Sequence, residues 1–414
     1  MLENLPQKNL DWLFFYRVYL RPPQYSKVPR LFVYMGLFFR MMQSYFLNSS
    51  KEKYSGGLFY LDNTRHYAQA IVILPEVNNT ITHNKFQEQV NCGIQIDITD
   101  GIYSSYRKLW KYLGYFLKEE KSKKSKIVKC NLPLAIHGIL LYEHYITFLT
   151  NNDIKYVVIF TDHSYKNRAL LFAAKKLKIK PVYIPHASVS EHFPPLEFDV
   201  AFLEGEDMQS KYENIYKKWN FKHSADLIMA GNIKMNTARR ITNNGNNKKI
   251  IGIAFSTLDS LKKVKELVNS LLSWKETMDY LILIRPHPSF ALSIDSIINN
   301  SNILLSDKKN ENSIEFIQRI EFLLSGDSNI ILEAALLKKK VFSFALGEEN
   351  RDSYGFVEKR ICPAISTFEE LKPFILNDFK NYEFNEEGLQ YYDYSFNRDL
   401  DSVKIVSDYL NKLT

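Results

Sequence analysis

The 414-residue sequence predicts an α/β protein made of two doubly wound domains with parallel sheets. Two observations support this fold class. In the middle of the chain, β-branched runs such as "IKYVVIFTD" alternate with helical segments such as "SYKNRALLFAAKKLKI", and the same alternation restarts after a polar break. Strand–helix–strand units of this kind pair in parallel, because the helix returns the chain to the same end of the sheet.

The predicted elements follow one another in a regular order. After the first strand and helix, the first alternation continues with "KPVYIPHAS", "FDVAFLEG", the helix "EDMQSKYENIYKKW" and "ADLIMAG". The second alternation has the strands "IIGIAF", "YLILIRPHP", "NILLSD", "FLLSGDS" and "KVFSFAL". Its helices are "DSLKKVKELVNSLLSW", "FALSIDSIIN", "NSIEFIQRI", "NIILEAALLKK" and "STFEELKPFIL".

The polar segment "TNNGNNKK", residues 242–249, marks the boundary between the two domains, because its Asn and Gly density is typical of a linker. We therefore expect a first doubly wound domain over 1–241 and a second over 250–395. Residues 396–414 are expected to form a C-terminal helix that packs back on the first domain.

Composition limits the kind of protein. Hydrophobic residues make up 45% of the chain and charged residues 24%, which is typical of a folded protein. The formal net charge of +8 suits anionic ligands or a phospholipid surface, and we expect no nucleic acid partner. The three cysteines, Cys92, Cys130 and Cys362, form no CxxC pair. They argue against disulfides and structural zinc, and the polar start "MLENLPQKNLDW" does not read as a signal peptide, so a cytoplasmic location is predicted.

The most membrane-like segment is "RLFVYMGLFFRMMQSYFL", Arg30 to Leu47. Arg40 interrupts it, and it is shorter than the roughly 20 residues that a membrane span needs. Its pattern favours an amphipathic helix packed on the first domain. The alternative is a helix lying on an anionic membrane surface at the inner face of the cell membrane. The cations that would support this alternative are Arg17, Arg21, Lys27 and Arg30.

Polar loops follow the predicted strands at their carboxyl ends, where ligands bind in doubly wound folds. These loops are "TDHS" (161–164), "PHAS" (185–188), "AFST" (254–257), "RPHPS" (285–289) and "SGDSN" (325–329). In "RPHPS" two prolines hold His287 on a stiff, extended loop. The sequence therefore predicts a ligand cleft between the carboxyl edges of two sheets.

The turn predicted at Ser325–Asn329, between the strand "FLLS" and the next helix, predicts an anion site, because the first backbone N–H groups of that helix have no partners within it. Gly326 would let the backbone approach a phosphate closely, and Ser328 and Asn329 would add side-chain donors. Glu333 lies one turn further on, within reach of a ribose. A simple helix N-cap at Asp327 or Ser328 is the alternative.

Several motifs are missing from the sequence. GxGxxG, GxxxxGK and HExxH do not occur, which argues against dinucleotide enzymes, P-loop kinases and metalloproteases. A DxD pair, Asp399 and Asp401, stands at the start of the predicted final helix, where capping is its expected role. We therefore expect no obligatory metal and no obligatory cofactor.

The pair "RPHP" and "SGDSNIILEAALLKKKVFSF" resembles the C-terminal nucleotide-binding domain of GT-B glycosyltransferases. The resemblance covers roughly residues 150–375. It is nearest to the bacterial surface-polysaccharide branch that includes CDP-glycerol glycerophosphotransferases, capsule Kdo transferases and some sialyltransferases. The chain departs from many of these relatives at His186-Ala187, where they have His-Gly.

This resemblance implies a nucleotide-binding role for a set of residues in 250–395, and acceptor binding for 1–241. His287 and Pro288 match the family's HP motif, and Glu333 falls where related enzymes contact ribose. Ser325, Asp327 and Ser328 match its phosphate loop. Together with the polar loops and the anion site above, the predicted phosphate and nucleotide contacts are Ser256, Thr257, Arg285, His287, Pro288, Ser325, Gly326, Asp327, Ser328, Asn329 and Glu333. A structural ion pair is the alternative role of Arg285.

The acceptor hydroxyl must lose its proton as it attacks, and a histidine suits that task. His186 is the first candidate base. Asp162 and His163 are the second candidates, and either could instead orient His186.

The predicted function is transfer of a sugar from a nucleotide-activated donor, with a CMP-sugar favoured, to a glycan or lipid-linked acceptor in capsule or lipopolysaccharide synthesis. The alternatives are transfer of a polyol phosphate from a CDP-linked donor and an inactive glycan-binding scaffold. A nucleotide-sugar 2-epimerase shares the fold but needs a carboxylate cluster that the sequence does not show.

Overall fold

The chain forms two compact units in a computed structural model. Unit 1 comprises Met1–Ala230 and Val403–Thr414, and unit 2 comprises Gly231–Ser402. The division falls ahead of the predicted linker, whose residues 242–248 lie outside the described residues. The structure describes residues 11, 14–15, 26–47, 52–84, 92–122, 125–186, 188–222, 225–241, 249–256, 258–287, 294, 300–307, 311–348 and 352–414.

The described residues of unit 1 contain one parallel sheet with the strand order β3-β2-β1-β4-β5-β6-β7. Its order reverses between β1 and β4, whose residues Tyr60 and Ile159 are paired neighbours. The strands are β1 (Ser55–Leu61), β2 (Thr80–Asn84), β3 (Ile94–Ile96), β4 (Asp153–Ile159), β5 (Lys180–Tyr183), β6 (Val200–Leu203) and β7 (Asp226–Met229). The strands predicted from "IKYVVIFTD" to "ADLIMAG" are confirmed as β4 to β7, whereas β1 to β3 were not predicted.

The described residues of unit 1 form helices that cover its sheet. They are α1 (Arg30–Gln43), α2 (Thr64–Ile73), α3 (Leu113–Ser122), α4 (Lys126–Cys130), α5 (Leu132–Asn151), α6 (Tyr165–Lys176) and α7 (Glu206–Lys218), with 3₁₀ turns at Ser44–Phe46, Leu74–Glu76 and Ile102–Tyr112. Helix α5 is long and apolar enough to cross a membrane, but 67% of its apolar window is buried within the protein. It starts at Asn131, whose side chain accepts a hydrogen bond from the Leu134 N–H at 3.2 Å.

The described residues of unit 2 contain a second parallel sheet with the order β10-β9-β8-β11-β12-β13. Counted from its own first strand, this is the 3-2-1-4-5-6 order of dinucleotide-binding folds, and it reverses between β8 and β11. The strands are β8 (Ile250–Phe255), β9 (Leu281–Pro286), β10 (Ile303–Leu305), β11 (Phe322–Ser325), β12 (Lys340–Phe344) and β13 (Ala364–Ile365). All of these except β13 were predicted.

The described residues of unit 2 also form helices, the first of which precedes the first strand of its sheet along the chain. They are α8 (Ile233–Ile241), α9 (Leu261–Ser273), α10 (Ser313–Arg319), α11 (Ile330–Leu336), α12 (Phe368–Leu376) and α13 (Glu386–Tyr392). The helix predicted from "FALSIDSIIN" falls on 290–299, nearly all of which lie outside the described residues.

Gly231 is the first residue of unit 2, and its backbone has a φ of +81°. A Cβ at this position would lie 2.5 Å from the Ser395 Cβ, so a side chain here would clash as well as strain the backbone. The last helix, α14 (Ser402–Asn411), returns to unit 1. Its Asn411 donates to the Glu76 carbonyl and accepts from the Asn78 N–H, both at 2.9 Å.

Candidate functional site

Polar side chains collect at the carboxyl ends of β1 and β4, where the sheet of unit 1 reverses its order. Asp62 follows β1, and His66 lies on the first turn of α2. The His66 Nδ1 atom lies 2.9 Å from Asp62 Oδ1, and its Nε2 atom lies 2.6 Å from Thr161 Oγ1, which follows β4. Reversal points of this kind are where doubly wound sheets bind ligands.

Three described side chains hold the Asp62 carboxylate. Asn167 donates to its Oδ2 atom at 3.1 Å, Asn63 donates to its Oδ1 atom at 3.2 Å, and His66 bonds to the same Oδ1 atom. Burial alone would raise the pKa of Asp62, but hydrogen bonding and charge from His66, the Lys166 charge and the Asn167 bond outweigh burial and hold that pKa below its usual value. Asp62 is therefore a charged anchor for the fully buried His66 ring.

His186, the first candidate base, lies on the same side of the sheet. Its Nδ1 atom donates to the Phe160 carbonyl at 2.6 Å and lies 3.4 Å from Thr161 Oγ1. A carbonyl oxygen can only accept, so Nδ1 carries a proton and the lone pair of the neutral ring is on Nε2. The His186 and His66 ring centroids are 4.9 Å apart. The structure thus joins His186 to Asp62 through Thr161 and His66.

Asp162 and His163, the second candidates, form a pair with each other. His163 Nδ1 lies 2.8 Å from Asp162 Oδ1, and the Tyr212 hydroxyl donates to Asp162 Oδ2 at 2.8 Å. Burial, with the adjacent Asp162 charge, raises the pKa of Tyr212, so this phenol remains a donor. The His163 ring packs on Phe193 at 4.4 Å. The His186 ring instead bonds to the Phe160 carbonyl and lies beside Thr161.

In unit 2, Ser325 and Gly326 stand at the reversal point between β8 and β11. The Ser325 hydroxyl is fully buried and makes no hydrogen bond with any described residue. The space beside Gly326 is taken by Asp259, since a Cβ there would lie 2.2 Å from Asp259 Oδ1. Gly326 therefore makes room for a carboxylate, a contact that the sequence did not predict.

Asp259 is held at this place by the Ser256 N–H, which donates to its Oδ2 atom at 2.6 Å. Burial raises the pKa of Asp259, the Ser256 hydrogen bonds oppose this, and the nearby Asp327 raises it further. An ionised Asp259 would repel a phosphate bound at Ser325–Asn329, so its protonation state matters for the predicted anion site.

The start of α11 does not show the N-cap at Asp327 or Ser328 that the sequence left open as an alternative. Its N-cap position is Asn329, with no capping hydrogen bond from that side chain. Asp327 instead accepts a hydrogen bond from the Ser353 N–H at 3.1 Å, and the Ser328 carbonyl accepts from Ile331 at 3.2 Å. The alternative in which Asp327 or Ser328 caps α11 is therefore wrong.

Two other predicted nucleotide contacts have protein partners. Arg285 donates to Ser306 Oγ at 2.6 Å and to the Glu311 carbonyl at 3.1 Å, and its Nη1 atom lies 3.8 Å from Glu311 Oε2. Glu333 lies 3.2 Å from Lys234 Nζ. The surroundings of Arg285 match the structural ion pair that the sequence left open as its alternative role.

The loop after β9 is only partly described. The His287 N–H donates to the Phe255 carbonyl at 2.8 Å, which ties this loop to the end of β8. Ser256 accepts a hydrogen bond on its Oγ from the Leu258 N–H at 3.1 Å. Pro288 and Thr257 lie outside the described residues, so their predicted roles stay predictions.

The DxD pair lies in unit 2 beside α8. Asp401 forms an ion pair with Arg240, and the Ser402 N–H at the start of α14 donates to Asn236 Oδ1 at 3.3 Å. The DxD pair was expected to cap α14. The bond to the first N–H of this helix comes from Asn236. Within the part of the chain that the structure describes, no group of His, Cys, Asp and Glu side chains could hold a metal ion.

Sequence reasoning missed Asp62, His66 and Asp259, and it placed Thr161 in a polar loop without giving it a role. A signal for the first two exists in "FYLDNTRHY", where a short apolar run ends in Asp-Asn with a histidine four residues further on. Asp259 had the weaker signal of a carboxylate just after the polar loop "AFST".

Two units with parallel, doubly wound sheets define the GT-B fold, and the predicted fold class is confirmed. No protein-family model and no curated protein matches the chain.

Solved structures with this fold are similar to the chain over most of its length. The UDP-GlcNAc 2-epimerase from Methanocaldococcus jannaschii has a TM-score of 0.55 at 14% identity, covering 86% of this chain and 99% of its own. A putative UDP-N-acetylglucosamine 2-epimerase from Listeria monocytogenes has a TM-score of 0.53 at 11% identity, covering 86% and 95%. The wall teichoic acid polymerase TagF, as the H548A variant, has a TM-score of 0.55 at 12% identity, covering 92% and 95%. At these identities the likeness establishes the fold.

Proposed function

We propose that the protein is a glycosyltransferase that moves a sugar from a nucleotide-activated donor to a hydroxyl of a bacterial surface glycan. The observation that carries this proposal is the His186 ring, whose protonated Nδ1 places the lone pair of the base on Nε2, beside the reversal point of a parallel sheet. In the reaction, Nε2 takes the acceptor proton as the acceptor oxygen bonds to the anomeric carbon. The bond from that carbon to the nucleotide phosphate breaks, and the nucleotide leaves with the electron pair.

Unit 2 is proposed to bind the donor nucleotide. His287, with donors at Ser325, Ser328 and Asn329, would stabilise the charge that grows on the departing phosphate. A CMP-sugar is our expected donor, resting on the HP resemblance, and the acceptor is expected in capsule or lipopolysaccharide synthesis. We expect no obligatory metal, because the Asp401 carboxylate of the DxD pair is engaged by Arg240.

A second candidate is transfer of a polyol phosphate from a CDP-linked donor. Its support is the likeness to TagF, one structure of which carries CDPG and covers 90% of this chain at a TM-score of 0.53. The same base would serve, since in both reactions a hydroxyl must lose a proton as it attacks. Two alternatives remain. One is epimerisation of a nucleotide sugar, which the likeness to the epimerase structures supports, and the other is an inactive glycan-binding scaffold.

The test is calorimetric titration with CMP, CDP, UDP and GDP, followed by product analysis with the donors of the nucleotide that binds. Sugar transfer with nucleotide release supports the proposal, whereas a phosphate-containing product supports the second candidate. Epimerised donor without acceptor would identify an epimerase. Donor hydrolysis without acceptor separates an enzyme from a scaffold, and no binding of any nucleotide would contradict all the enzymatic candidates.

A further inference from the structure

Helix α1 and the 3₁₀ turn after it carry an apolar surface that the described part of the chain leaves exposed. Six large side chains are between 47% and 87% exposed: Leu31, Phe32, Phe38, Phe39, Met42 and Phe46. Phe32, Phe39 and Phe46 recur at seven-residue spacing and so share one face, next to a stripe formed by Leu31, Phe38 and Met42. Scattered exposed apolar residues are ordinary, but a contiguous patch marks an interaction surface.

The opposite face fixes α1 to unit 1. Leu37 and Met41 are buried in the core of the unit, and the Arg40 guanidinium donates to the Tyr106 hydroxyl at 2.9 Å. The apolar surface is therefore held outward by packing behind it. The sequence suggested two roles for this segment, packing on the first domain and lying on a membrane surface. Packing on the first domain accounts for the buried face with Leu37 and Met41, but it does not explain the exposed apolar face.

Cations border this surface on two sides. A cavity at the start of α1 is lined by Lys27, Arg30 and Lys129. A second cavity, of about 450 Å³, is lined by Arg107, Lys108, Lys111 and Lys176 together with Trp110. The Trp110 ring contacts Phe38, with ring centroids 5.8 Å apart, so this cavity adjoins the apolar surface.

The second cavity holds more positive than negative charge. Its acidic residue, Glu143, is 2.8 Å from Lys111 and also accepts from the Tyr112 hydroxyl. Burial lowers the pKa of Lys108, Glu143 opposes this, and repulsion from Lys111 and Arg107 lowers it further. Such a site favours an anion among its cations.

We propose that α1 and its two cationic borders dock unit 1 on an anionic phospholipid bilayer. The apolar side chains enter the boundary between headgroups and acyl chains, and the lysines and arginines meet the lipid phosphates. A second copy of the chain fits the surface less well, because a two-fold contact would bring the cationic borders of both copies together. The proposal does not depend on which transfer reaction the protein performs.

The test is cosedimentation of the full chain with vesicles of phosphatidylcholine alone and of phosphatidylcholine mixed with phosphatidylglycerol. The variant Phe39→Ser with Phe46→Ser removes two exposed rings, and we expect its binding to the mixed vesicles to fall more than tenfold. Leu258→Ser with Leu376→Ser is the matched control, since both leucines are exposed in unit 2, and it should bind like the unaltered protein. Arg107→Gln with Lys176→Gln should weaken binding to the mixed vesicles and reduce its salt dependence.

Failure of the unaltered protein to bind the mixed vesicles would overturn the proposal, as would equal loss of binding in the control variant. Concentration-dependent self-association that disappears in Phe39→Ser with Phe46→Ser would assign the surface to a second copy instead. Circular dichroism of each variant confirms that a loss of binding is not a loss of fold.

Discussion

A backbone carbonyl fixes the protonation of His186, because the Phe160 oxygen can only accept the bond from Nδ1. His186→Ala should therefore leave nucleotide affinity nearly unchanged while the transfer rate falls by roughly 10²–10⁴-fold, the usual contribution of a positioned base. Calorimetric titration and steady-state rates measure the two effects. His192→Ala, an exposed histidine in the same unit, is the control. Full activity of His186→Ala would move the base to Asp162, His163 or His66.

The protonation state of Asp259 sets the charge beside Gly326. A carboxyl whose folded pKa is raised holds its proton more tightly in the folded protein, so stability is lost as pH rises from the usual Asp value of about 3.9 through the raised folded value. Nucleotide affinity at the predicted phosphate turn should fall over the same pH range, because the ionised carboxylate repels phosphate.

Asp259→Asn should remove that pH dependence and tighten nucleotide binding at neutral pH by about tenfold, because one repulsive charge disappears. Calorimetric titration across the pH range measures both effects, and the exposed Asp279→Asn, with the same change in formal charge, should change neither. Weaker nucleotide binding by Asp259→Asn would show that Asp259 contacts the nucleotide favourably and would contradict this prediction.

At the scale of the elements, Arg285 joins the end of β9 to the segment between β10 and α10. Its guanidinium is bonded to Ser306 and Glu311 and lies 5.4 Å from the Phe316 ring. Glu311 also pairs with Arg319 of α10 at 2.6 Å. The cluster therefore ties the end of β9 to the segment that precedes α10.

Breaking this buried pair should be costly. Arg285→Met should lower the free energy of unfolding by about 3–5 kcal/mol, because it leaves the Glu311 carboxylate, only 11% exposed, with one cationic partner fewer. Urea unfolding of Arg285→Met, Glu311→Gln and the double variant would show a coupling between the two sites. Nucleotide affinity of folded Arg285→Met should be unchanged. A loss of affinity with unchanged stability would instead make Arg285 the phosphate ligand that the sequence analysis predicts.

At the scale of the whole molecule, the position of α8 determines what cleavage of the predicted linker should do. This helix precedes residues 242–249 yet belongs to unit 2, where Arg239 lies 2.8 Å from Asp393 and Lys234 pairs with Glu333. Proteinase K should cut first within 242–249, as expected of a linker. The two pieces should still elute together in gel filtration and separate in urea.

Arg239→Gln with Lys234→Gln should weaken that association after cleavage. Lys217→Gln with Lys218→Gln in α7 removes the same charge from unit 1 and is the control. Separation of the nicked pieces without denaturant, or a first cut outside 242–249, would contradict this prediction.

The sequence by itself determined the fold from residue 150 onward. Strands covered on both faces read as unbroken apolar runs, and the polar residues that end them mark the carboxyl edge of the sheet, so β4 to β12 and the loops at their ends were readable. The sequence did not predict β1 to β3, because these short strands lie among helices and 3₁₀ turns with no regular alternation.

Tertiary structure alone decided which polar residues meet. His66 and Thr161 are 95 positions apart, and the parallel pairing of β1 with β4 brings them to 2.6 Å. Arg285 and Gly326 have the residue types that a phosphate site needs, but their neighbours are Glu311 and Asp259. Residue type sets the charge and size of a side chain, whereas the folded neighbours decide which partner that charge meets.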